Sequence, residues 1–279
     1  MEQSRQKKIA AINDLTGYGR CALAVSMPVI SHMRIQCCPV PTSILSNHAG
    51  YAEYFFDDYT DRLPDYLGMW GKLSLSFDGI MTGFLGSAHQ IEIIEKFIDR
   101  FRDENTVVVV DPVMGDHGKI VGVYTEEMCS GMRRLVSRAH IITPNLTEAC
   151  KLTDIPYREK GWTKKELSDM VQALQDMGPE KIVITGIPQG ELIANYVYEK
   201  GQEPHVIKTC RVGDERCGTG DLFAAIIAAD AVNGVSFQKS VKKASGFVKQ
   251  SMQKSIEMQI PEKNGVCFEE ILHTLKVYG

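Results

Sequence analysis

Strand-like and helix-like hydrophobic patterns alternate along nearly the whole chain. Residues 107–110 are four consecutive valines followed by Asp111-Pro112, the composition of a central parallel strand buried on both faces. Apolar runs at 9–12, 35–40, 77–82, 140–143 and 181–185 read as further strands, and 192–198 as a more peripheral one. Between them the apolar spacing becomes helical. In 88–102, Ile91, Ile94, Phe97, Ile98 and Phe101 fall on one face. Helices are predicted over 21–33, 126–138 and 218–232, and over 163–177, which Thr163 and Glu166 open as a capping box. Two more helices fill the C-terminus. The alternation predicts an α/β fold, a mostly parallel sheet with helices on both faces in three layers. No repeat or linker divides residues 1–279, so a single domain is expected.

In open parallel sheets ligands bind beyond the carboxyl ends of the strands. The distinctive polar and glycine residues sit at those ends: Asn13-Asp14, Ser46-Asn47-His48, Thr82-Gly83, Asp111, Thr143-Pro144-Asn145 and Thr185-Gly186. One rim of the sheet is therefore the predicted site.

Charge and composition narrow the class. Among 279 residues, Lys plus Arg is 31 and Asp plus Glu is 35, a net charge of -4. A nucleic-acid binder would show a basic surplus or stripe. No apolar run approaches the roughly 20 residues of a membrane span, and the basic start precedes too few apolar residues for a signal peptide. A cytoplasmic protein without membrane or nucleic-acid partners is expected. The eight cysteines form no C-x-x-C pair and mostly lie in apolar contexts, as small buried hydrophobes. Cys37 and Cys38 should point to opposite faces of one strand. Cys217 stands apart because of its neighbours.

Gly17-Tyr18-Gly19-Arg20-Cys21-Ala22 fits a dinucleotide-binding pattern after a strand. That pattern also needs an acidic residue about 20 positions on, and none occurs between Asp14 and Glu53. A Walker A loop is absent too. The segment Arg216-Cys217-Gly218-Thr219-Gly220-Asp221 instead leads straight into an apolar helix. Small residues there let backbone N–H groups converge where the helix dipole favours negative charge. Gly218, Thr219 and Gly220 would form an anion hole, with the Asp221 carboxylate beside it as a proton acceptor. The competing role for Asp221 is a simple helix cap.

Six short segments in order, from Asn13-Asp14-Leu15-Thr16-Gly17 to Gly218-Thr219-Gly220-Asp221, resemble the ribokinase superfamily, and within it the vitamin B6 kinases and their hydroxymethylpyrimidine kinase relatives. The resemblance implies ATP-dependent phosphorylation of a hydroxymethyl group, with Asp221 as the base. It implies that Asn145 and Glu148, an N-x-x-E pair, organise magnesium and phosphate, with Asp111 near the metal and the phosphates. Thr143, Thr185 and Gly186 match positions lining the nucleotide, alongside Gly218 and Gly220. On the substrate side Asp14, Thr16, Ser46, His48 and Phe84 match the ring pocket. Competing roles are a helix-start carboxylate for Glu148, a backbone-bonded histidine for His48 and simple packing for Phe84.

The resemblance favours a kinase acting on pyridoxal, pyridoxamine or pyridoxine, with ATP and Mg2+, and leaves a monovalent cation such as K+ open. The alternative is a hydroxymethylpyrimidine or phosphomethylpyrimidine kinase, which Asp14-x-Thr16-Gly17 resembles more. A non-catalytic vitamer-binding module has no need of Asp221 and Glu148. The family is usually dimeric, which implies a homodimer. Cys217 is expected beside the ring, where its thiol could add to the pyridoxal aldehyde or merely fit a tight turn.

Overall fold

A computed structural model describes residues 5–278. In chain order it contains β1 (Lys8–Tyr18), α1 (Leu23–His32), β2 (Gln36–Asn47), β3 (Phe56–Asp58), α2 (Leu63–Lys72), β4 (Gly79–Thr82), α3 (Ala88–Phe101) and β5 (Val107–Val110). A hairpin of β6 (Gly115–Asp116) and β7 (Lys119–Ile120) precedes α4 (Glu126–Val136), β8 (Ile141–Ile142), α5 (Leu146–Thr153) and α6 (Lys164–Asp176). Then come β9 (Lys181–Gln189), β10 (Leu192–Glu199), β11 (His205–Cys210), α7 (Thr219–Val232) and α8 (Phe237–Glu257).

Nine strands form one sheet in the order β11-β10-β9-β8-β5-β4-β1-β2-β3. From β2 to β9 all neighbours run parallel; the antiparallel pairs lie at the two edges. Side-chain alternation sorts each central strand onto two cores. Ala10, Ile12, Ile80, Val108, Val110, Ile142 and Ile182 join one cluster with α3, α4 and α6. Ile9, Ala11, Met81, Val109, Ile141 and Val183 join the other with α1, α7 and α8. This is the expected three-layer α/β fold. Cys38 packs against the first cluster and Cys37 against the second, as their adjacency in a strand requires. Among the described residues no helix is long and apolar enough to cross a membrane.

Several elements differ from the sequence reading. β1 does not stop at Ile12; it pairs with β2 through a bulge between Asn13 and Leu15 and runs to Tyr18, so Gly17 is still strand and the turn comes later, at Gly19 with φ 95°. The C-terminus holds one α-helix, α8, followed by short 3-10 turns, because Pro261 and Gly265 break the pattern. β10 is peripheral as expected, next to the edge, and the edge itself is β11, six residues of alternating burial that the hydrophobic pattern did not mark. Cys210, at its end, is exposed, not a buried hydrophobe. The Thr163–Glu166 capping box forms as expected.

α7 and α8 are joined by a buried ion pair. Lys243 Nζ donates to Asp230 Oδ1 at 2.5 Å and also to the Lys276 carbonyl at 2.9 Å. Asp230 is fully inaccessible. Removing one partner leaves a buried charge uncompensated, which costs about 3–5 kcal/mol. Lys243→Met is therefore expected to lower the urea midpoint sharply, and Asp230→Leu combined with Lys243→Met to recover most of the loss. A single variant with unchanged stability would contradict this.

Candidate active site

The start of α7 is held by a close backbone approach. Its N-cap, Gly218, has φ 87°, and a Cβ there would lie 1.9 Å from the Arg20 carbonyl oxygen. Only glycine lets this helix begin against the turn that follows β1. In front of Gly220 a Cβ would meet nothing, so neither packing nor backbone angle requires that glycine. The first-turn N–H groups have no partner within the helix and carry the positive end of its dipole. Thr219 Oγ1 donates to the Arg216 carbonyl at 3.2 Å. Cys217 is half-buried and neighbours the buried Cys21, whose ionisation is pushed far up by the Cys217 thiol and by burial.

Asp221, in the first turn, accepts from Asn13 Nδ2 at 3.0 Å. Burial holds its carboxyl above the ordinary range, while the Ala22 N–H and the Asn13 amide pull it back. Asp14 lies close enough to feel the Asp221 charge. Its carboxyl is pushed up to about 6, first by burial, against the stabilising bond from Thr16 Oγ1 to Asp14 Oδ2 at 2.6 Å. Asp111, at the end of β5, is pushed up to about 7 by burial and then by Asp221, and accepts from Thr143 Oγ1 at 2.8 Å. Glu148 is raised by burial and by Asp111. Asp14, Asp111, Glu148 and Asp221 are thus electrostatically linked at one rim of the sheet.

Asn145 and Glu148 close a reciprocal capping box on α5. Glu148 Oε2 accepts from the Asn145 N–H at 2.8 Å, and Asn145 Oδ1 accepts from the Glu148 N–H at 2.9 Å. Glu148 Oε1 takes the Met114 N–H at 3.1 Å, and Asn145 Nδ2 donates to the Gly115 carbonyl at 2.8 Å. The helix-start role anticipated for these residues is therefore real, and it fixes both side chains at the strand ends.

Beside them opens a cavity of about 550 Å³. Thr143, Asn145, Thr185, Gly186, Cys217, Thr219 and Gly220 line it. So do Val212, Phe223, Val248 and Met252, an apolar wall that sequence reading missed; for the last three, helical periodicity marks core and cavity wall alike. Asn195 was missed as well. It is buried, accepts from the Gly186 N–H at 3.2 Å and donates to Ser245 Oγ at 2.7 Å. At the rim, exposed Asp116, His117 and Glu215 bring ligand atoms within 4.8 Å of one another; His117 bonds Glu215, which raises its basicity.

The substrate-side residues divide. Asp14 lies at the bulge of β1 and Thr16 just beyond it, and the half-buried Phe84 follows β4, its carbonyl accepting from Thr42 Oγ1 at 3.0 Å. His48 has both ring nitrogens on backbone, one at 2.6 Å from the Lys263 carbonyl and the other accepting from the Gly50 N–H at 3.1 Å. Ser46 accepts from the Phe55 N–H at 2.8 Å. Both hold the loop between β2 and β3, the backbone-bonded role that His48 shared as a candidate.

The phosphomethylpyrimidine kinase family model matches residues 73–266. A pyridoxine/pyridoxal/pyridoxamine kinase of Bordetella avium is 28% identical over 260 residues, 88% of this chain and 84% of its own. A Bacteroides thetaiotaomicron protein, provisionally described as a phosphomethylpyrimidine kinase, superposes with TM-score 0.95 at 36% identity, over 100% of this chain and 97% of that one. It has also been solved with pyridoxal. A Lactobacillus plantarum pyridoxal kinase superposes with TM-score 0.89 at 27% identity, covering 98% and 97%. The chain belongs to the phosphomethylpyrimidine kinase family, within the ribokinase-like superfamily.

The raised Asp14 carboxyl has a measurable cost. The folded state holds its proton up to about pH 6, the unfolded chain only to about 3.9. Stability from this group is therefore lost as pH rises through that window. Asp14→Asn is expected to stabilise the protein by about 1–2 kcal/mol at pH 7.5, discounted for partial exposure, and by nothing at pH 4. Equal melting temperatures at pH 7.5 would contradict this.

Proposed function

We propose that this member of the phosphomethylpyrimidine kinase family, a phosphotransferase with a hydroxyl acceptor, moves the γ-phosphate of ATP to the 5′-hydroxymethyl group of a B6 vitamer. The observation that carries the reading is the pairing of Asp221 with the N-terminus of α7, next to Asp14 on β1. A proton acceptor, an anion hole and a polar ring contact then converge from segments about 200 residues apart. The Asp221 carboxylate would take the proton of the substrate hydroxyl, and the N–H groups of Gly218 to Gly220 would hold the transferred phosphoryl group. The cavity lined by Thr143, Thr185 and Gly186 would take the nucleotide. Asp14, Thr16 and Phe84 would face the heteroaromatic ring, with Ser46 and His48 shaping the outer loop.

Magnesium fits the donor set. Asp111 and Glu148 offer hard oxygen donors, and each is destabilised as an anion by burial and by other carboxylates. Both Glu148 oxygens already accept N–H bonds, which favours a water-mediated over a direct contact. The ion would neutralise phosphate charge. The whole chain would act as one cytoplasmic kinase domain. A homodimer is supported by exposed Leu15, Ile44, Phe55 and Phe56 along the β1–β3 edge, which a second copy would cover. The family model's description favours a pyrimidine substrate as the second reading.

Two variants test the site. Asp221→Asn keeps the shape and removes the basicity, so kcat is expected to fall about 10²–10⁴-fold with nucleotide binding retained. Full activity would remove Asp221 as the base. Cys217→Ala is expected to weaken pyridoxal but spare pyridoxamine if the thiol adds to the aldehyde; equal effects on both would make Cys217 scaffold.

A further inference from the structure

Asn13 sits at the bulge of β1 with 3% of its surface exposed. A bulge re-aims a side chain that regular pairing would bury in one core. Here the amide is turned toward three groups of the site. Nδ2 donates to Asp221 Oδ1 at 3.0 Å. Oδ1 accepts from the Phe84 N–H at 2.8 Å and from the Asp14 N–H at 3.0 Å. Both lone pairs of Oδ1 are therefore in use. The reverse amide orientation would set NH2 against two backbone N–H groups, so the bonding pattern fixes which atom faces Asp221.

The chain is moulded around this amide. A Cβ at Gly83 would lie 2.3 Å from Asn13 Nδ2 and 2.8 Å from Oδ1. Any other residue at 83 would displace the side chain. The Gly83 N–H in turn donates to the Ile12 carbonyl at 2.8 Å, which locks β4 to β1 at this point.

We propose that Asn13 is a positioning residue that holds the Asp221 carboxylate for catalysis and ties it to the ring side of the site through Phe84 and Asp14. Nδ2 on Oδ1 of Asp221, together with the Ala22 N–H, fixes the orientation in which the carboxylate meets the substrate hydroxyl. This rests on Asp221 being the base. Displacement of a reacting group by about 1 Å costs on the order of 10²-fold in rate.

The test is a double-mutant cycle read in single-turnover phosphorylation of pyridoxal. Asn13→Ala should lower kcat about 10–100-fold with the KM for ATP unchanged. In the Asp221→Asn background the same substitution should change the residual rate less than about three-fold, since the group it positions no longer acts as a base. Gly83→Ala, which pushes the amide aside without touching either carboxylate, should show the same dependence and serves if Asn13→Ala does not fold. An equal loss in both backgrounds would make Asn13 purely structural and overturn the inference. Full activity of Asn13→Ala beside an inactive Asp221→Asn would overturn it alone. Full activity of Asp221→Asn would overturn the assignment of the base and this inference with it.

Discussion

The backbone contact between Gly218 and the Arg20 carbonyl is the constraint from which the rest of the site follows. It seats the N-terminus of α7 against the exit of β1, at the place where the strand order turns back on either side of β1. Strand order reversal leaves a crevice beyond the carboxyl ends of the strands, and ligands enter there. Because the helix begins at that crevice, Asp221 meets the Asn13 amide, which also takes the Phe84 and Asp14 N–H groups. α8 supports α7 from behind through the Asp230–Lys243 pair.

The site concentrates negative charge where water is scarce. Asp14, Asp111, Glu148 and Asp221 all hold protons more tightly than free carboxyls, and in each case burial is the first cause. Such an arrangement weakens the fold at neutral pH and suits a site that receives a cation and a phosphate chain. Stability is restored elsewhere, by capping boxes and by two apolar cores on the faces of one sheet.

Much of this was legible in the sequence. The valine run at 107–110 gave a central strand to the residue, since burial on both faces leaves no room for polar positions. The motifs at strand ends fell on one rim, and the family resemblance named on them agrees with the family to which the chain belongs. Tertiary pairing overrode local signals elsewhere. Pairing with β2 keeps Gly17 in the strand and delays the glycine turn to Gly19. β11 went unmarked because its short edge sequence, His205–Cys210, carries no sustained apolar run. Asn13 was visible only as the start of a motif, since its role depends on Gly83 and Asp221, distant in sequence. His48 shows the limit of position alone: its ring is spent on backbone bonds.

The claim that these parts form a kinase for a B6 vitamer is tested most directly by identifying the product. The protein is incubated with ATP and Mg2+ and, in separate reactions, with pyridoxal, pyridoxamine and hydroxymethylpyrimidine, and each mixture is followed by 31P NMR. The expected result is a phosphate monoester on the 5′-hydroxymethyl of pyridoxal or pyridoxamine, formed one-for-one with ADP and faster than any pyrimidine ester. Release of inorganic phosphate without an ester, or an ester on the pyrimidine alone, would contradict it.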